Sequence, residues 1–306
     1  MQKIIYLAET NAAPDCPLQG VCTFRPSDPK RENAIASAEI IFGNPTIDEL
    51  CRAQALKWVQ MTWAGADRYL GGDFPRNVHL TTASGAFGET IAEHTLAMLF
   101  ALCRRLPAYI RAGTWLDLGC EKQICGGNAV IFGCGDLGSS LARRLKALGV
   151  NTVGVCRNAR MRRDGFDVLT TLECAELFLP EADFVLCALP HSPQTAGYFD
   201  AARIGLLKRD AVFINVGRGS LADVDALALS LAEGRLFGVG LDVTDPEPLQ
   251  QEHPLWSLPN AIVTPHVAGV SFGHLPQTEE KIWTICEENL ARYRCGEALK
   301  NEVHLP

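Results

Sequence analysis

Short β-branched runs alternate with stretches of helical apolar spacing along the whole 306-residue chain, the pattern that gives parallel sheets flanked by helices. Near the start, residues 3–8 and 56–61 predict strands and 47–55 a helix. Residues 88–110 set Ile91, Leu96, Leu99, Leu102 and Leu106 at helical spacing. Glu89 opens this stretch and Arg104 and Arg105 close it, as the helix dipole favours, so one long helix is predicted. From residue 128 the alternation becomes regular, with strands predicted at 129–132, 152–155, 184–188, 212–215, 238–243 and 262–264. Helices fit between them at 137–148, 201–207 and 224–233. Residues 274–293 predict a closing helix with Glu279, Glu280, Glu287 and Glu288 toward water.

Composition narrows the setting. Lys and Arg number 28 against 35 Asp and Glu, and the net charge of −7 offers no general footprint for nucleic acid or an anionic membrane. The longest apolar stretch, 96–103, falls far short of the roughly 20 residues that span a bilayer. The opening MQKIIYLAET has too short an apolar run and too early a glutamate for a secretion signal. Twelve cysteines are scattered with no C-x-x-C spacing, and they read as small apolar residues in a reducing compartment. The expectation is a cytoplasmic protein of two domains, at roughly 150 residues each, with neither nucleic acid nor membrane as a partner.

Gly133-Cys134-Gly135-Asp136-Leu137-Gly138 follows one predicted strand and opens a helix. A G-x-G-x-x-G run means little alone, but in this setting each glycine has a task. The first allows the tight turn, the second lets backbone approach a pyrophosphate, and the third lets helix and strand pack closely. Six strands with helices between them is a dinucleotide-domain count. An NAD site places Asp or Glu about 20 residues beyond the glycines to hold the ribose 2′-hydroxyl. Here the stretch runs Val155-Cys156-Arg157-Asn158-Ala159-Arg160-Met161-Arg162-Arg163, with no acid and four arginines. Guanidinium groups grip a 2′-phosphate that a carboxylate would repel, so NADP is expected over NAD, with Arg157 the main contact and Asn158 and Arg160 in support. A solvated basic loop is the other explanation of the same residues.

Three later strands each end in a charged residue: Arg218 between two glycines after Asn215, Glu247 in a proline-rich turn after Asp242, and His266 after Thr264-Pro265. Singly they suit a surface arginine, a solvated carboxylate and a packed histidine. In an open α/β sheet, however, ligands bind outside the carboxyl ends of the strands. Hydride transfer to a 2-oxo acid needs a proton donor for the developing alkoxide, a cation for the carboxylate and carbonyl, and a group that holds the donor charged. His266, Arg218 and Glu247 would supply all three.

With these residues in view, the chain resembles the D-isomer-specific 2-hydroxyacid dehydrogenase family. The matching features are the glycine loop, Leu189-Pro190-His191-Ser192-Pro193-Gln194-Thr195, Asn215 to Gly219, Asp242 through Pro248, and Leu258-Pro259-Asn260 leading into Thr264-Pro265-His266. The resemblance implies a Rossmann-type doubly wound parallel-sheet domain, residues 98–271, inserted into a smaller, discontinuous flavodoxin-like α/β domain, residues 1–97 and 272–306. It implies His266 as proton donor, Glu247 as its partner and Arg218 as the substrate cation. Cofactor contacts would come from Gly133, Gly135, Asp136, Leu137, Gly138, Cys156, Leu189, Pro190, Thr195, Val216, Gly217 and Asp242. Gly65 and Ala66, in Thr62-Trp63-Ala64-Gly65-Ala66-Asp67, would offer backbone N–H groups to the substrate carboxylate. Trp63 is open to two explanations, a pocket wall or a core aromatic, and Trp256 shares that ambiguity. Cys156 stands where NAD-using relatives carry aspartate. The implied activity is NADPH-dependent reduction of a small 2-oxo acid, of the glyoxylate or hydroxypyruvate type, to the D-2-hydroxy acid, by a homodimer. A phosphite dehydrogenase or a nicotinamide-sensing corepressor without enzymatic activity would carry the same trio.

Overall fold

The computed structural model describes residues 2–69, 71–270 and 272–303. Two compact units emerge, Met1–Phe87 with Val270–Pro306, and Gly88–Gly269.

The first unit opens with β1 (Ile4–Leu7), β2 (Cys22–Phe24), α1 (Arg31–Ser37), β3 (Ile40–Gly43), α2 (Ile47–Arg52), β4 (Trp58–Gln60) and β5 (His79–Thr81). Its five strands are parallel, in the order β2-β1-β3-β4-β5, the flavodoxin-like order. Strand residues split between two faces. Ile5, Leu7, Ile41, Val59 and Met61 pack with Ile35, Leu50 and Leu80 on one side, while Tyr6, Phe42 and Trp58 point to the other. Thr46 and Glu49 form a capping box that starts α2.

The second unit runs α3 (Gly88–Cys103), α4 (Leu106–Ala112), β6 (Asn128–Phe132), α5 (Asp136–Ala147), β7 (Asn151–Val155), β8 (Val168–Thr170), β9 (Phe184–Cys187), α6 (Ala201–Gly205), β10 (Val212–Asn215), α7 (Val224–Ala232), β11 (Gly238–Leu241) and β12 (Ala261–Val263). A ten-residue 3-10 segment, Leu172–Glu181, precedes β9. The parallel sheet runs β12-β11-β10-β9-β6-β7-β8, the Rossmann order with one further strand at the β12 edge. Both faces are covered. Ala129 and Ile131 of β6 pack with Leu99, Leu102, Leu141 and Leu145, and Val130 and Phe132 pack with Leu179, Phe199 and Leu227. This explains why strands such as Phe184–Cys187 are apolar throughout rather than alternating.

The chain then returns to the first unit as α8 (Pro276–Cys295). Trp283 meets Tyr6 edge-on at 4.9 Å, and Tyr293 stacks on Trp58 at 5.2 Å, so α8 covers the second face of that sheet. Fully buried Asn289 donates to Gln60 Oε1 (2.8 Å) and to the Lys300 carbonyl (3.0 Å), satisfying polar groups that burial would otherwise penalise.

The structure corrects several expectations. The predicted helix 88–110 is two helices. Arg105 lies in the left-handed region (φ 52°) and Pro107 stands at the start of α4, where a missing N–H costs nothing. The expected boundary at 97/98 would fall inside α3. The units divide at 87/88 instead, because α3 packs its Leu99 and Leu102 on the second unit's sheet. That sheet has seven strands rather than six, the short β8 having gone unread. Glu279 is half-buried rather than facing water, its carboxylate accepting the Gly273 N–H at 2.6 Å. Of the twelve cysteines, all free, four are buried, two half-buried and six exposed, so burial accounts for only a minority. Among the described residues no helix is long and apolar enough to cross a membrane.

Candidate active site

The turn from β6 into α5 shows what each glycine is for. Gly133 has φ 108°, and a β-carbon there would lie 2.8 Å from the Ala188 carbonyl oxygen. At Gly138 a β-carbon would sit 1.8 Å from the Gly133 carbonyl oxygen, so only glycine permits this helix-to-turn contact. Gly135, by contrast, faces open space with nothing within 4 Å, and no side chain caps the helix it starts. A helix N-terminus with free approach to its backbone is the cradle a pyrophosphate requires. Asp136 Oδ2 accepts the Gly88 N–H at 2.8 Å, so its carboxylate joins the start of α3 to the start of α5. Leu137 is half-buried against the core beside α3.

Beyond β7, Cys156 is half-buried while Arg157, Asn158 and Arg160 are exposed. The Asn158 side chain accepts the Arg160 N–H at 3.1 Å and so shapes the loop. Arg163 turns the other way: its Nη1 donates to the Cys134 carbonyl at 2.8 Å and braces the glycine loop from beneath. Cys134 is buried at the same place, and burial pushes its thiol up to about 12.

At the other strand ends the structure brings His266 and Glu247 together, Nδ1 to Oε1 at 2.7 Å, with both side chains roughly half exposed. His266 is one of four described non-glycine residues with positive φ (54°). Asp242, whose carboxylate is 2 % exposed, organises this turn. Its Oδ1 accepts the Thr264 hydroxyl (2.6 Å) and the Val267 N–H (2.9 Å), Oδ2 accepts the Ala268 N–H (3.0 Å), and its carbonyl accepts the His266 N–H (2.8 Å). Arg218 follows β10, with Nη1 donating to the Gly217 carbonyl at 2.8 Å. Buried Asn215 shapes that loop by donating to the Arg218 carbonyl (2.9 Å) and accepting the Gly217 N–H (3.0 Å). A β-carbon at Gly219 would lie 1.9 Å from the Thr244 carbonyl oxygen. The Arg218 turn therefore lies directly against the start of the Glu247 turn. Val216 and Gly217 are buried, Gly217 so close to the end of β9 that a β-carbon there would lie 2.6 Å from the Leu189 carbonyl oxygen. Leu189 is half-buried and Pro190 exposed, and the Thr195 hydroxyl is committed within the same turn, donating to the Pro190 carbonyl at 2.9 Å.

In the first unit, Trp63 is not a core aromatic. It is 38 % exposed, lines a cavity of about 750 Å³ at the carboxyl ends of β1 and β3, and carries the Arg68 guanidinium 4.6 Å above its ring. Glu9 shares that cavity. It accepts from Asn44 Nδ2 at 2.5 Å and from the Trp63 side chain, and desolvation holds its carboxyl above the usual range although one side is open to solvent. Gly65 and Ala66 are half-buried in the following turn. Trp256 is 45 % exposed, and its indole N–H donates to the Gln250 carbonyl at 2.8 Å.

Residue-type reasoning missed Asn215, Arg163, Glu9, Asn44 and His94. One signal was available: Asp242 ends an apolar strand, and a carboxylate carried into that burial needs partners.

Comparison with known proteins places this geometry. The family model for the D-isomer specific 2-hydroxyacid dehydrogenase NAD-binding domain matches residues 96–268. A glyoxylate reductase of Korarchaeum cryptofilum is 31 % identical over 241 residues, 75 % of this chain and 70 % of that one. A D-isomer specific 2-hydroxyacid dehydrogenase family protein from Aeromonas salmonicida superposes with a TM-score of 0.86 at 29 % identity, covering 99 % of both chains. An NADPH-dependent glyoxylate/hydroxypyruvate reductase from Sinorhizobium meliloti, solved with NADP and sulfate, gives 0.83 at 27 % identity over 99 % of this chain and 98 % of that one.

Proposed function

The chain belongs to the D-isomer specific 2-hydroxyacid dehydrogenase family of oxidoreductases, and from that premise we propose that it reduces a small 2-oxo acid of the glyoxylate or hydroxypyruvate type to the D-2-hydroxy acid with NADPH. The observation that carries this reading is the His266–Glu247 pair at the strand ends of a dinucleotide fold. Bound reduced nicotinamide supplies the hydride. With Nδ1 held by Glu247, His266 keeps Nε2 to deliver a proton to the developing alkoxide. Arg218 offers a charge to the substrate carboxylate and carbonyl. The helix start at Gly135 takes the pyrophosphate. Arg157, Asn158 and Arg160 take the 2′-phosphate, since between Cys156 and Arg163 there is no acidic residue to repel it.

Twelve free thiols suit a reducing cytoplasm. Phe100, Leu106, Ile110, Trp115 and Leu116 are exposed along α3, α4 and the segment that follows. Exposed apolar side chains of this number within one short stretch of chain support association as a homodimer.

A panel of 2-oxo acids, followed by the loss of reduced-nicotinamide absorbance with NADPH and with NADH, tests the reading. Glyoxylate or hydroxypyruvate should be turned over with higher kcat/KM for NADPH. Equal or better kcat/KM with NADH overturns the cofactor assignment. Oxidation of phosphite without turnover of any 2-oxo acid overturns the substrate.

A further inference from the structure

The turn that carries His266 is held from one side by a residue that the reaction itself does not call for. His94 lies on α3, its Nε2 3.2 Å from Thr264 Oγ1 and 3.8 Å from Asp242 Oδ1. Counting protons settles the direction of these bonds. The Thr264 hydroxyl has a single proton, and it stands 2.6 Å from Asp242 Oδ1, an acceptor with none to give. That proton therefore belongs to the carboxylate bond. The contact between imidazole and hydroxyl then requires His94 to donate, so its Nε2 carries a proton.

We propose that His94 is a positioning residue for His266: it donates through Thr264 into Asp242, and this line of bonds holds the 264–268 turn in the conformation that presents the proton donor. The inference rests on the role given to His266 above. Two features make the line more than incidental. His266 occupies the left-handed region, where a non-glycine residue persists only when its surroundings over-determine it. The Asp242 carboxylate and carbonyl together bind the backbone N–H groups of His266, Val267 and Ala268. Any rotation of that carboxylate is thus passed directly to the turn. α3 is a suitable anchor, since Leu99 and Leu102 of the same helix are wholly buried in the core. Removing the imidazole leaves Thr264 without its donor and frees the hydroxyl to turn away from Asp242.

The test uses the full chain and three measurements. Long-range proton–nitrogen correlation of the histidine rings should show a proton on His94 Nε2. His94→Ala should lower kcat about 10- to 100-fold, the scale of a small misplacement of a reacting group, with KM for the 2-oxo acid and Kd for NADPH within about twofold of wild type. His94→Gln, which keeps a donor near the Nε2 position, should recover most of that loss. An Nδ1–H tautomer, an unchanged kcat in His94→Ala, or a failure of His94→Gln to recover activity while it binds NADPH normally would each overturn the proposal. A wild-type chain that reduces no 2-oxo acid overturns the functional reading instead, and the tautomer measurement still decides the His94 bond.

Discussion

His266 combines a backbone conformation that side chains avoid with a 2.7 Å bond from Nδ1 to Glu247, so both its place and its free nitrogen are set by neighbours. If it is the proton donor, His266→Gln should lower kcat by about 10²- to 10⁴-fold, the usual worth of general acid catalysis, while NADPH binding measured by fluorescence stays intact. Near-normal turnover would remove it from that role. At the β7 end, Arg157 is exposed, and the role proposed for it is a charge-assisted bond to the 2′-phosphate. Such a bond is worth about 1.5–3 kcal/mol, so Arg157→Asp should shift the ratio of kcat/KM for NADPH over NADH by about 10- to 100-fold toward NADH. An unchanged ratio would assign the phosphate to other residues. Arg163 illustrates why residue type alone misleads: four arginines lie in one loop, and this one serves the Cys134 carbonyl instead of facing outward.

Elements meet through a few polar junctions as well as through the core. Asp183, just before β9, accepts from Lys208 (2.7 Å), from the Asn128 N–H (3.0 Å) and from Lys122 (3.1 Å), so one carboxylate gathers the start of β6 and the segments before β6 and β10. Partial burial works to raise its pKa, but these bonds outweigh it and hold the carboxyl below its ordinary value. A group whose pKa is depressed by folding stabilises above its unfolded value, about 3.9 for aspartate, and that contribution disappears as pH falls through the lower folded value. Asp183→Asn should therefore lower Tm by a constant amount between pH 7 and pH 5, and the gap from wild type should close below about pH 4. A gap independent of pH would show that packing, not charge, holds this junction. The break between α3 and α4 is another element-scale decision. Arg111 of α4 donates to the carbonyls of Leu258, Pro259 and Ala261, which gives the second helix a direction of its own, toward the start of β12.

For the molecule as a whole, the exposed apolar set on the second unit bears on assembly. Ile110 is 80 % exposed and Trp115 fully so, a poor arrangement for an isolated chain in water. Wild-type protein should therefore run in light scattering at twice the 33.3 kDa chain mass, and Ile110→Glu with Trp115→Glu should run as the single chain. A wild-type monomer would refute the dimer.

The sequence by itself determined the α/β class, nearly every strand of the second unit and the glycine turn, and it singled out His266 and Glu247, which the fold pairs. Each of these rests on local spacing or residue type: apolar strands buried on both faces, glycines at which a β-carbon would fall 1.8 and 2.8 Å from a carbonyl oxygen, and charged residues just past strand ends. Only the tertiary structure decided the boundary at 87/88, the burial or exposure of each cysteine, the exposure of Trp63, and the partners of Asp242, Asn215 and His94. Those depend on contacts between residues far apart in the chain, such as His94 with Thr264, which no local periodicity encodes.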